Sequence, residues 1–327
     1  MRVMVETMNR LTTSEPGTEP VETLLRGELA RCDLALSSAM PILRHLVVNE
    51  DQSLFSDEVV ARVRGMLASM ARQLLHSQAE AEQIADRTAL IEEREAILTE
   101  WLASDPALLR HVHALTIEAQ TALRLQAAAD IDPVLSPLLQ DLVAAKDGVL
   151  ASTAMAALAA QARFIQHQRR MSLPLDELPA ELFHKALLMF RAQAGDSSGA
   201  EAAERALRQT FDESLGRLGL LSRAVMRSSR AAPQALDVGH AGIALFASAL
   251  SLAAGQEREL IAISLSDRQY ARLALTMCAA GMEPSALVAQ FVLLHPDVAL
   301  PEGFTSLSRD EAARMLATSA PVGEPGL

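Results

Sequence analysis

From Val21 onward the apolar residues of this chain recur three and four positions apart, and no stretch alternates them with polar residues over strand length. A period near 3.6 lays apolar side chains along one face of a helix, whereas period two belongs to a half-buried strand. Half of the 327 residues are apolar but only 3% are aromatic. The core is therefore built from Ala, Leu, Val, Ile and Met, which suits close helix packing better than a sheet. The fold class expected is all-α: an irregular multi-helix bundle or stacked helical hairpins, HEAT-like in architecture, with no significant β-sheet.

Capping residues and prolines divide the pattern. Residues 1–19, polar and broken by Pro16 and Gly17, are expected to form a flexible leader. Leu25, Leu29, Cys32, Leu36 and Leu43 mark a first helix, which Pro41 should bend or divide. Ser56 caps a second, with Val59, Val63, Met66, Met70 and Leu74 on its inner face. A polar helix over 77–102 carries a short heptad of Ile84, Ile91 and Leu98, flanked by Leu90, Ile97 and Trp101.

Asp105-Pro106 and Asp132-Pro133 each offer an N-cap followed by proline at the first helical position, and Asp147 opens a third helix. Short helices joined by tight turns imply antiparallel neighbours. The run 195–199 is the best interior linker, separating helical regions at 20–194 and 200–318, with a disordered tail over 319–327. Helix is expected from Ala200 to about Arg230. Ser266 or Asp267 should cap a helix ended by Gly281, Pro284 begins the next, and Ser308 with Glu311 forms a capping box for the last.

A formal charge of −12 argues against general affinity for nucleic acid or anionic membranes and favours basic or neutral protein partners. Lys146 and Lys185 are the only lysines, an arginine bias suggestive of a GC-rich bacterial genome. Cys32 and Cys278 are isolated and apolar-flanked, as reduced core cysteines are. Met1 to Pro20 lack the continuous apolar core of a signal peptide, so a cytoplasmic location is expected. Val238 to Gln256 carries no Asp, Glu, Lys or Arg, yet is too rich in Ala, Gly and Ser for a membrane span. It should form a buried helix with Ile243, Leu245, Phe246, Leu250 and Leu252 distributed around it.

Three local patterns could carry chemistry. Glu181 and His184 lie three apart on a helix, and Asp237 and His240 repeat that spacing; two such pairs with two more carboxylates would make a ferritin-like di-metal centre. His167, followed by Arg169, Arg170 and Pro174, resembles the phosphoacceptor helix of sensor kinases, and His184-Lys185 is a poorer phosphotransfer candidate. Arg223, Arg227 and Arg230, with Arg217 earlier, form a basic face with no acid between Arg217 and Arg230, suited to an acidic partner or a phosphate. His111 and His113 are two apart on a helix and point in different directions, so they cannot chelate as a pair. No nucleophile elbow, phosphate-binding loop or dinucleotide fingerprint occurs. The function expected is a non-enzymatic helical scaffold or regulator acting through protein–protein contact. It needs no cofactor, and homo-oligomerisation is possible. The alternatives are a histidine phosphotransfer component using His167 or His184 and, behind it, a ferritin-like metal enzyme.

Overall fold

The computed structural model describes residues 21–48, 57–195, 197–227, 231–266 and 269–319. Among these residues the chain is all-α, helices and three short 3-10 turns with no strand. Helix α1 (Val21–Val48) runs unbroken through Pro41. The division expected there does not occur: the helix continues as one element, with Leu36 before Pro41 and Leu43, Leu46 and Val47 after it all buried. The cap at Ser56 lies outside the described residues; α2 (Asp57–Ala81) buries the expected Val59, Val63, Met66, Met70 and Leu74.

The polar helix expected over 77–102 is two elements. The chain turns at Gln83, whose φ is +53°, and Asp86 caps α3 (Arg87–Ser104) by accepting the Ala89 N–H. The break has a tertiary cause: the Glu82 carboxylate accepts from Gln78 at 3.0 Å and from the distant Ser197 hydroxyl at 2.6 Å.

Asp105 caps α4 (Pro106–Ala129), accepting the Ala107 and Leu108 N–H groups with Pro106 at the first position. Asp132 makes the same local bonds to Val134 and Leu135 but starts no helix. There Ser136 caps α5 (Pro137–Val143) instead, because a second proline, Pro137, takes the first helical position. Asp147 caps α6 (Gly148–Arg169) as expected.

After α7 (Ala180–Ala194) the chain turns at Gly195, and Ser197 caps α8 (Ser198–Thr210). Asp196, inside the candidate linker, lies outside the described residues. The helix expected to reach Arg230 ends early, since Phe211 adopts an extended backbone and stacks on Phe183 with ring centroids 4.0 Å apart. Helix α9 (Arg217–Arg227) follows a short turn. Then come a single turn, α10 (Ala231–Gln234), and the apolar α11 (Val238–Ala254).

Helix α11 is kinked at Gly242, whose φ of +67° is a conformation that a side chain strongly disfavours. A Cβ there would also press on Ser136. Ile243, Leu245, Phe246 and Leu250 are buried as expected, but Leu252 is 45% exposed. It lies within the last turn of the helix.

The last part comprises α12 (Arg258–Ser264), α13 (Tyr270–Ala279), α14 (Pro284–Leu294) and α15 (Arg309–Thr318). Of the two caps expected before α13, Asp267 lies outside the described residues and Ser266 is not the cap: Gln269 occupies that position, without a side-chain cap bond. Gly281, with φ +77°, ends α13, and the Ser308–Glu311 capping box is complete in both directions. Ser319, placed at the start of the tail, is buried against Arg272 and Asp33.

Apolar side chains gather in two main clusters. One holds Val63 to Leu75 of α2, Leu108 to Ala119 of α4, and Phe183 to Phe190 of α7. The other holds Leu138 of α5, Leu220 to Val225 of α9, Ile243 to Leu250 of α11 and the helices of the C-terminal part. Three long helices pass from one to the other. In α1, Leu25 and Leu29 belong to the second cluster and Leu43 to the first; in α4 the change falls between Ala119 and Ala122, and in α6 between Ala160 and Phe164. Both clusters draw on residues from either side of 195–199.

Candidate functional site

The seam between the two cores is polar, and its centre is Glu118 of α4, which is fully buried. Arg217, at the start of α9, donates to both carboxylate oxygens at 2.7 and 3.2 Å. Arg258, at the start of α12, does the same at 2.8 and 3.0 Å. Each guanidinium presents two N–H groups in a rigid fork that matches a carboxylate. Burial alone would raise the Glu118 pKa, but the two guanidiniums outweigh it and hold the carboxyl far below the ordinary range.

The arginines are themselves held. The Arg217 guanidinium lies 3.7 Å from the Phe164 ring centroid and donates to Gln161, whose amide donates in turn to the Pro133 carbonyl at 2.8 Å. The Arg217 backbone N–H donates to Glu177, so that carboxylate caps the start of α9. Arg258 donates to the Ser248 hydroxyl at 3.0 Å and the Ala244 carbonyl at 3.3 Å, both on α11. One carboxylate thus ties α4, α6, α9, α11 and α12 together across the seam.

Two turns back along α4, His111 is buried with Nδ1 2.9 Å from Glu259, the residue after Arg258. Burial would raise the Glu259 carboxyl, yet the hydrogen bond and charge of His111 bring it down to about 2. His113 is also buried, and that burial pushes its pKa down to about 4. It is neutral at physiological pH. Neither histidine lies on the surface.

The chemistry open to this cluster is narrow. The Glu118 carboxylate receives four N–H donors, carries no proton at neutral pH, and has its oxygens engaged by both arginines. It is placed to clamp helices rather than to shuttle protons. Sequence reasoning missed it, though one signal existed: Glu118 falls on the apolar stripe that runs Leu115, Ala122 and Leu125.

The residues singled out from sequence do not converge. Arg217 is 2% exposed and inside the seam, not on a surface face. Arg223 is half-buried and donates to the Ser214 carbonyl, with Asp212 close enough to feel its charge. Arg227 is exposed, and Arg230 lies outside the described residues. His167 is half-buried, its Nδ1 2.9 Å from the Ser172 hydroxyl, beside a shallow crevice that also touches Phe164, Glu177 and Arg217. His184 is exposed on α7 and accepts from Arg208 at 2.7 Å, while Glu181 pairs with Lys185 at 3.3 Å. Asp237 caps α11, and His240 stands 3.7 Å from Asp141. Among the described residues no group of three or more His, Cys, Asp or Glu side chains is placed to hold a metal ion. Cys32 and Cys278 are both buried, and neither is joined in a disulfide.

A different surface does stand out. Helix α6 is, among the described residues, the one helix long and apolar enough to cross a bilayer by length and composition, yet only 39% of its apolar window is buried. Val149 and Met155 are each 55% exposed, and Met226 on the adjoining α9 is 70% exposed. Helices α6 and α9 pack antiparallel: Arg217 at the start of α9 meets Gln161 and Phe164, while Leu221 to Val225 share a core with Leu150, Ala154 and Ala157. Ten residues of helix rise about 15 Å, which carries Met226 and Arg227 to the end of the pair where Val149 lies. Comparison with family models, curated proteins and solved structures finds no match to this chain.

Proposed function

We propose that this protein is a helical scaffold or regulator that works by holding another protein, without catalysis of its own. The observation that carries the reading is the outward face of the α6/α9 pair. Soluble proteins expose single apolar residues routinely, but several large ones on two packed helices mark a contact surface. Here Val149, Met155 and Met226 stand out from a frame whose interior is fixed by the Glu118 cluster. A rigid support of this kind keeps a binding face in place without an ordering cost on association.

The test is affinity purification from the native cell, comparing wild type with the double variant Met155→Glu/Met226→Glu. Metal content is measured on the same samples. The reading expects a stoichiometric protein partner with the wild type and its loss with the variant. Recovery of both proteins alone, or with stoichiometric metal and no partner, would overturn it.

A further inference from the structure

The occupant of the α6/α9 face can be specified from its charge and shape, on the footing that the face is a contact surface. In a chain of net charge −12, there is no Asp or Glu from Gly148 to Leu175 or from Gly216 to Leu236. Those two stretches hold α6 and α9. Arg163, Arg169, Arg170 and Arg227 on them are exposed. Basic charge is therefore concentrated on a pair of helices that also presents uncovered apolar side chains.

The shape argument comes from the exposed positions of α6. Val149, Ser152, Ala156, Ala159 and Arg163 are all exposed and recur at alternate spacings of three and four. That is the 3.5-residue period at which one helix receives another, and small side chains along it let the axes come close. Val149 and Met226 supply apolar contact at one end and Met155 beside the middle, and Arg163 continues the same seam into the basic half. We propose that this face binds an acidic amphipathic helix of a partner protein, its apolar residues seated on the α6 seam and its carboxylates paired with Arg163, Arg170 and Arg227.

A lipid surface fits less well. Interfacial helices insert Trp, Phe and Leu, whereas the seam between Val149 and Arg163 is lined by Ser152, Ala156 and Ala159, with Met155 beside it. The net negative charge of the whole molecule also opposes approach to an anionic bilayer.

Defined probes separate the cases: a soluble helical peptide of Leu and Glu heptads, its Leu and Lys counterpart, and vesicles of phosphatidylcholine with phosphatidylserine. The Leu/Glu peptide is expected to bind, to weaken at least tenfold in Met155→Glu and in Arg227→Glu, and to weaken further as salt rises. The Lys peptide and the vesicles are expected not to bind. Peptide binding that ignores both substitutions, equal binding of the Lys peptide, vesicle binding, or no binding at all would each overturn the proposal. A native partner lost in the Met155→Glu/Met226→Glu protein, together with no Leu/Glu peptide binding, would sink this assignment while sparing the scaffold reading.

Discussion

Helices α4 and α6 cross the same seam and break the ordinary rule of burial in opposite ways. Helix α4 takes a carboxylate and two histidines inside, and α6 leaves Val149 and Met155 outside. The polar groups on α4 have found partners within the chain. Glu118 has its two arginines, and His111 has Glu259. The apolar groups on α6 have found none. A buried charge that is fully paired points to architecture, whereas apolar surface left over after the core is complete points outward.

The largest effect should come from breaking the inside half of that contrast. Glu118→Gln leaves two guanidiniums buried without their anion and is expected to cost about 3–5 kcal/mol of stability by chemical denaturation. Replacing the whole cluster, Glu118→Leu with Arg217→Met and Arg258→Leu, should cost much less than the sum of the single changes, since no uncompensated charge remains. Simple additivity would show that the cluster is not one unit.

A smaller effect should appear with pH. His113 titrates near 4 in the folded protein and near 6.5 when unfolded, so between these values the unfolded chain binds more protons. Its contribution is complete above about 6.5 and is lost as pH falls toward 4, roughly 3 kcal/mol in all. Glu259 contributes stability that is present above its unfolded value of 4.5 and lost as pH falls toward about 2. Between pH 6.5 and 4 the unfolding free energy of His113→Leu should therefore fall less steeply than that of wild type, with the two slopes alike above and below that window. An unaltered slope between pH 6.5 and 4 in His113→Leu would contradict the assignment.

Most of the helical frame is legible in the sequence because caps act locally. Asp105, Asp147, Ser308 with Glu311, and Gly281 each fix an end through bonds or backbone conformation within a few residues. The breaks at Gln83 and Phe211 are not legible, since Ser197 and Phe183 create them from far along the chain. The Glu118 cluster was hidden for the same reason: Arg217 and Arg258 are 99 and 140 residues away. The basic face was half visible. Spacing grouped Arg217 with Arg223 and Arg227, but only packing shows that Arg217 points into the seam and that the arginines of α6 join the exposed set.

The contrast between the two helices is tested most directly by urea unfolding of the Met155→Glu/Met226→Glu protein, with the Leu/Glu peptide titrated into the same samples. If these side chains belong to a contact surface and not to the fold, the unfolding free energy should stay within about 0.5 kcal/mol of wild type while peptide binding is lost. A protein that unfolds several kcal/mol more easily, or one that still binds the peptide as wild type does, would contradict the account.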